Sequence, residues 1–148
     1  MKNLTQTRPE NRPDNRRDKA PTPATAFRAD AAVVLVATVV AALVWAGARA
    51  AGIDLKVRSG SGSREVTLAA VILTPLLVGF AAVRLLRLLE RRTARGLRIW
   101  TIVAIAVWAV SFAGPLSATA PSGGLVLAAL HLMVGVVVVV GLRLRRVA

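Results

Sequence analysis

The chain has 148 residues, 55% of them hydrophobic, and a formal net charge of +13. That much apolar surface is more than so short a soluble chain can hide, unless apolar and basic residues occupy separate segments, as they do here. The absence of Cys excludes disulfides, thiolate metal sites and thiol redox chemistry, and a single His cannot build a multi-histidine metal site.

Residues 1–29 are polar and rich in proline, with the run RPENRPDNRRDKAPTPAT. Nothing in this stretch can be buried, so it reads as a disordered tail ahead of a membrane domain at 30–148. Lys2, Arg8, Arg12, Arg16, Arg17, Lys19 and Arg28 carry its positive charge.

The first apolar run, 31–51, is long enough at 1.5 Å per residue to cross a hydrocarbon core of about 30 Å. Trp45 and Arg49 fall toward its far end, where an aromatic ring and a snorkelling Arg are tolerated. Ala46-Gly47-Ala48 resembles a signal-peptide cleavage site, but the long leader and the length of the apolar stretch favour an uncleaved span. Ile53, Leu55 and Val57 then alternate with polar residues, and Ser59 to Ser63 form a Gly/Ser turn. A short hairpin or extended loop outside the membrane is expected, supported by the helix ends beneath it.

The second span, about 66–84, has Pro75 near its centre, where a kink is expected. Beyond it, VRLLRLLERR places Arg84, Arg87 and Arg91 on one face and leucines on the other. This reads as an amphipathic extension at the headgroups, with Glu90 paired to Arg87. The third span, about 97–113, is near the lower length limit; Trp100 is placed at the inner interface and Trp108 deeper. The fourth, about 124–142, contains Val136 to Val140. In a bilayer a helix satisfies its own backbone and an isolated strand does not, so this too is a helix. The fold class is therefore all-α, a four-transmembrane-helix bundle with a short extracytoplasmic hairpin or extended loop between helices 1 and 2.

Sixteen Lys and Arg fall on the side of the termini and the 84–98 segment, and four on the other. By the positive-inside rule both termini are cytoplasmic, which demands an even number of spans. A reporter fused after Ala148 is expected to lie inside. The basic segments point to anionic headgroups as partners. Nucleic acid is excluded, because the basic residues flank apolar runs and no binding motif is present.

His131, near mid-depth in the fourth span, is the one ionisable side chain well inside a span, and such residues are functional candidates. The commoner role for such a residue is a neutral imidazole hydrogen-bonded to another helix. Thr74 and the Val71 carbonyl, which loses its donor to Pro75, lie at similar depth and are the expected partners. Thr38 and Ser111 are expected to satisfy local carbonyls. Ala42, Ala46 and Ala50, with Gly79, Gly135 and Gly141, are candidate close-packing positions. Asp54 and Glu65 are expected to be solvated or paired with Lys56 and Arg64. No catalytic motif, cofactor site or metal spacing is found.

The Trp45–Gly52 helix end followed by IDLKV, then REV, LLERR, RIW, SFAGPL and LHLMVG, in this order over residues 30–145, resembles a family of bacterial four-span membrane proteins of unknown function common in GC-rich actinobacteria. The resemblance implies topology and no activity. The function expected is that of a non-enzymatic interaction or accessory subunit of the cell membrane, acting with itself or a membrane partner. The alternative is a small oligomeric transporter or channel using His131.

Overall fold

A computed structural model describes residues 23–147. The elements are α1 (Pro23–Ala50), β1 (Lys56–Ser59), β2 (Gly62–Glu65), α2 (Leu68–Arg92), α3 (Gly96–Ser111), α4 (Ala113–Leu116) and α5 (Pro121–Val147). Among the described residues, four helices are long and apolar enough to cross a membrane, α3 doing so together with the extra turn of α4 to Leu116. That turn lengthens the third span beyond the 97–113 expected from hydropathy. Leu43, Leu77, Val110 and Leu125 are each two-thirds exposed or more. In water such a belt of large apolar side chains would aggregate; facing lipid it costs nothing.

α1 begins at Pro23, inside the segment expected to be a tail. Proline suits a helix's first turn, because its missing N–H has no intrahelical partner there. Phe27 stacks on Phe80 of α2 at 6.5 Å between ring centroids and carries the Arg87 guanidinium over its face, which fixes this extra turn to the bundle. Lys2 to Lys19 and the rest of 1–22 lie outside the described residues.

The four long helices form a ring. α1 packs on α2 and α5, and α3 closes the far side against the same two helices. The core has two centres. Toward the hairpin end lie Ala41, Ala48, Leu55, Val71, Leu127 and Leu130; toward the arginine-rich end lie Val34, Val83, Leu86, Trp100 and Leu142. The buried stripe of α2 runs Val71, Pro75, Gly79, Val83, Leu86, the spacing of one helix face. α2 is a single helix through Pro75, whose ring is buried in this stripe. Thr67 caps its start by accepting from the Ala70 N–H.

Close approach is set by glycine. A Cβ on Gly79 would meet Val34 at 2.6 Å, and one on Gly141 would meet Val33 at 2.8 Å, so α1 lies against both. On α1 the small residues facing inward are Ala37, Ala41 and Ala48. The Ala42, Ala46 and Ala50 stripe expected from the sequence is rotated away, with Ala46 and Ala50 exposed. Alanine is too common in this helix for spacing alone to identify the buried face. The tight α2–α3 turn needs Gly96, where a Cβ would meet the Leu89 backbone at 2.6 Å.

The hairpin pairs Lys56 with Glu65 through Ser59 with Gly62, and Gly60 takes the positive φ (58°) of its turn. The helix ends support it, with Leu55, Val57 and Val66 packed on Trp45, Ala48 and Leu127. The α4–α5 connection adds a third segment: Arg58 N donates to Ser117 O at 2.8 Å, Thr119 N donates to Lys56 O at 3.1 Å, and Val57 bridges Ala118. Leu55, fully buried, plugs the bundle beneath it. Backbone pairing to a third segment is what lets so short a hairpin persist.

Candidate functional site

Two features stand out, a charged clasp at one end of the bundle and an apolar groove along its flank. The first is a clasp at the arginine-rich end. Asp30, in the first turns of α1, is fully buried. Arg146 of α5 grips it with a two-pronged contact, Nη1 to Oδ1 at 2.7 Å and Nη2 to Oδ2 at 2.9 Å. Arg87 of α2 adds Nη2 at 2.8 Å and Nε at 3.2 Å, both to Oδ2, and Arg145 Nε stands 3.6 Å from Oδ1. Arg146 Nε also donates to Glu90 Oε1 at 2.9 Å. One carboxylate thus ties three helices. The two-pronged Arg–carboxylate geometry is the strongest form of such a contact.

This arrangement corrects two expectations. Glu90 pairs with Arg146 rather than Arg87, and Arg87 turns into the bundle rather than outward on one face with Arg84 and Arg91. The reason is helical register: Arg87 follows Val83 and Leu86 along the face that packs on α1. Arg84 and Arg91 remain exposed. At the hairpin end Lys56 does meet Asp54 at 3.2 Å, but Glu65 pairs with Arg49 at 2.7 Å and not with Arg64.

The second feature is a groove of about 460 Å³ between α2, α3 and α5. Apolar residues dominate its wall, among them Val71, Val78, Val103, Val107, Leu130 and Val138; the polar side chains are Thr74, Ser111, His131 and the indoles of Trp100 and Trp108. Both indole N–H groups are used. Trp100 donates to Ala82 O of α2 at 2.9 Å, and Trp108 donates to His131 O of α5 at 2.8 Å. These bonds pin α3 to both neighbours. Trp45 acts in the same way on Val66 O, just before α2, at 2.8 Å. Trp100 is therefore turned into the bundle, 1% exposed, four residues from the start of α3. A bonded indole N–H loses no hydrogen bond on being buried against a neighbouring helix.

His131 lies on the groove wall, roughly 15 Å along α5 from Pro121 by the helical rise. Its Nδ1 bonds Leu127 O, one turn back on its own helix, at 2.9 Å. Thr74 shares the groove wall, but among the described residues no hydrogen bond joins it or Val71 O to His131. The link between helices at this level runs instead through the His131 backbone carbonyl and Trp108. Phe112 stands 6.0 Å from the imidazole and 5.7 Å from Trp108, so three rings cluster here. Thr38 and Ser111 donate to Val34 O and Trp108 O, as expected of hydroxyls in a span.

Residues 21–148 match a family of unknown function, DUF6069. The chain belongs to this family. No curated protein and no solved structure matches it. The match spans all four long helices, with Asp30 and His131 inside it, and supplies no activity for either residue.

Proposed function

We propose that this DUF6069 chain is a non-enzymatic accessory protein of the cell membrane that seats an apolar partner in the groove between α2, α3 and α5. In this reading both ends face the cytoplasm, where the exposed Arg84, Arg91, Arg92, Arg95, Arg98 and Arg143 meet anionic headgroups. The observation that carries the proposal is the groove wall itself: long, apolar and built from three helices. Such a wall repels a hydrated ion or polar solute and suits an occupant drawn from the bilayer. A small oligomeric transporter using His131 is favoured less, because the wall around that one imidazole is apolar.

A photoreactive benzoylphenylalanine at Val78 or Val107, both half-exposed on the groove, tests this in native membranes. A discrete adduct is expected at both positions, and none from Leu43, which lies on the outer face of α1. Identical adduct patterns at all three positions would sink the proposal.

A further inference from the structure

A second furrow follows the seam between α3 and α5. Ile105 and Trp108 form one wall, Val136, Val139 and Val140 form the other, and Arg143 stands at its arginine-rich end. The other polar side chains along it are engaged within the protein. The Thr101 hydroxyl donates to Leu97 O at 2.8 Å, and the Trp108 indole donates to His131 O at 2.8 Å. Arg98 precedes Thr101, Ile105 and Trp108 at helical spacing, on the stripe of α3 that lines the furrow.

Two arginines therefore flank one mouth. α3 and α5 run antiparallel and meet where Trp108 packs on Gly135. Arg98 lies ten residues before Trp108 on α3, about 15 Å away along the axis, and Arg143 lies eight residues beyond Gly135 on α5, about 12 Å away. The two positions stand at nearly the same height, and the furrow beneath them is about as deep as one leaflet of a ~30 Å hydrocarbon core. Both arginines are exposed, and among the described residues neither takes part in an ion pair. The described carboxylates of this end, Asp30 and Glu90, are already held by Arg87 and Arg146. Two uncompensated positive charges at the head of a leaflet-deep apolar furrow call for an occupant with a negative head and an apolar tail. A zwitterionic lipid would bring its own cation to the same place, whereas a phosphate without one pairs directly with guanidinium groups.

We propose that the furrow holds an anionic phospholipid of the leaflet at the arginine-rich end, with its phosphate between Arg98 and Arg143 and an acyl chain along the α3–α5 seam toward Trp108. The proposal rests on the reading that exposed arginines meet anionic headgroups, and it singles out two of them as a binding site. It does not depend on what occupies the groove between α2, α3 and α5, since neither Val78 nor Val107 lines the furrow.

Native mass spectrometry of the full chain in detergent micelles, titrated with dioleoyl phosphatidylglycerol or dioleoyl phosphatidylcholine, tests this. The first phosphatidylglycerol is expected to bind about thirtyfold tighter than the first phosphatidylcholine, the worth of two arginines beside an anionic head. Arg98→Gln with Arg143→Gln should abolish that preference. Arg84→Gln with Arg91→Gln removes the same charge from exposed positions on α2 and should keep most of it. Glycerol 3-phosphate, a head without tails, should not displace the lipid. No preference in the parent chain would overturn the proposal, and so would displacement by glycerol 3-phosphate. Equal losses in the two double variants would remove the site and leave a general attraction to headgroups standing. Discrete adducts at Val78 and Val107 alongside any of these failures would leave the apolar seat in place without the lipid site.

Discussion

Asp30→Ala is expected to destabilise the bundle by about 3–5 kcal/mol. The size follows from what is left behind. Asp30 is fully buried and accepts from Arg87 and Arg146, with Arg145 close by. Removing it leaves up to three guanidinium groups facing one another at the meeting point of α1, α2 and α5. Arg146→Ala should cost less, because Arg87 still answers the carboxylate. The double variant Asp30→Ala with Arg146→Ala should be more stable than the sum of the two single losses predicts, since it removes charge from both sides. Unfolding in mixed detergent micelles measures all three. An Asp30→Ala protein within 0.5 kcal/mol of the parent by the same assay would show that the clasp contributes little.

The second large effect is expected at Gly135. A Cβ there would fall within the Trp108 indole, so Gly135→Val must expel the ring from its place against α5. The Trp108 bond to His131 O then breaks, and α3 loses one of the two indole pins that hold it. Overpacking of this kind costs about 1–3 kcal/mol, and a lost buried bond adds to it. The fluorescence of Trp108 should change along with the melting temperature. Combining Gly135→Val with Trp108→Ala should recover part of the loss, because the collision is then gone. Additive losses would mean that the two residues do not meet.

Much of this architecture is legible in residue spacing and length. Apolar runs of the right length mark the four helices, alternation from Ile53 to Val57 with a Gly/Ser turn marks the hairpin, and Gly79, Gly135 and Gly141 all prove to be points of close approach. The clasp was harder to see. Asp30 sits at the junction of a polar leader and an apolar run, where a charge is ordinary. Yet it continues the inward stripe of α1 backward from Ala41, Ala37 and Val34 at helical spacing, and Arg146 extends the α5 stripe four residues past Leu142. Extending each buried face outward by one turn would have brought both residues into view. Which arginine meets Asp30 depends on how the helices are rotated against one another, and a single helix's periodicity carries no information about that.

The tryptophans teach a related lesson. A ring near the end of a span is usually assigned to the membrane interface. Here Trp45, Trp100 and Trp108 each donate to a backbone carbonyl outside their own helix. Sequence position gives the depth of an indole and leaves open whether it turns to lipid or to a neighbour. The same holds for His131, whose depth was apparent and whose bond to Leu127 O was not.

The claim on which the rest depends is that the chain crosses the bilayer four times with its arginine-rich end in the cytoplasm. Because the chain has no native Cys, single-cysteine labelling tests it without background. Ser61→Cys, at the exposed hairpin tip, should react with a membrane-impermeant maleimide in intact cells, whereas Thr93→Cys in the α2–α3 turn and Ala148→Cys should react only after permeabilisation. Labelling of Thr93→Cys or Ala148→Cys in intact cells, with Ser61→Cys protected, would contradict the account.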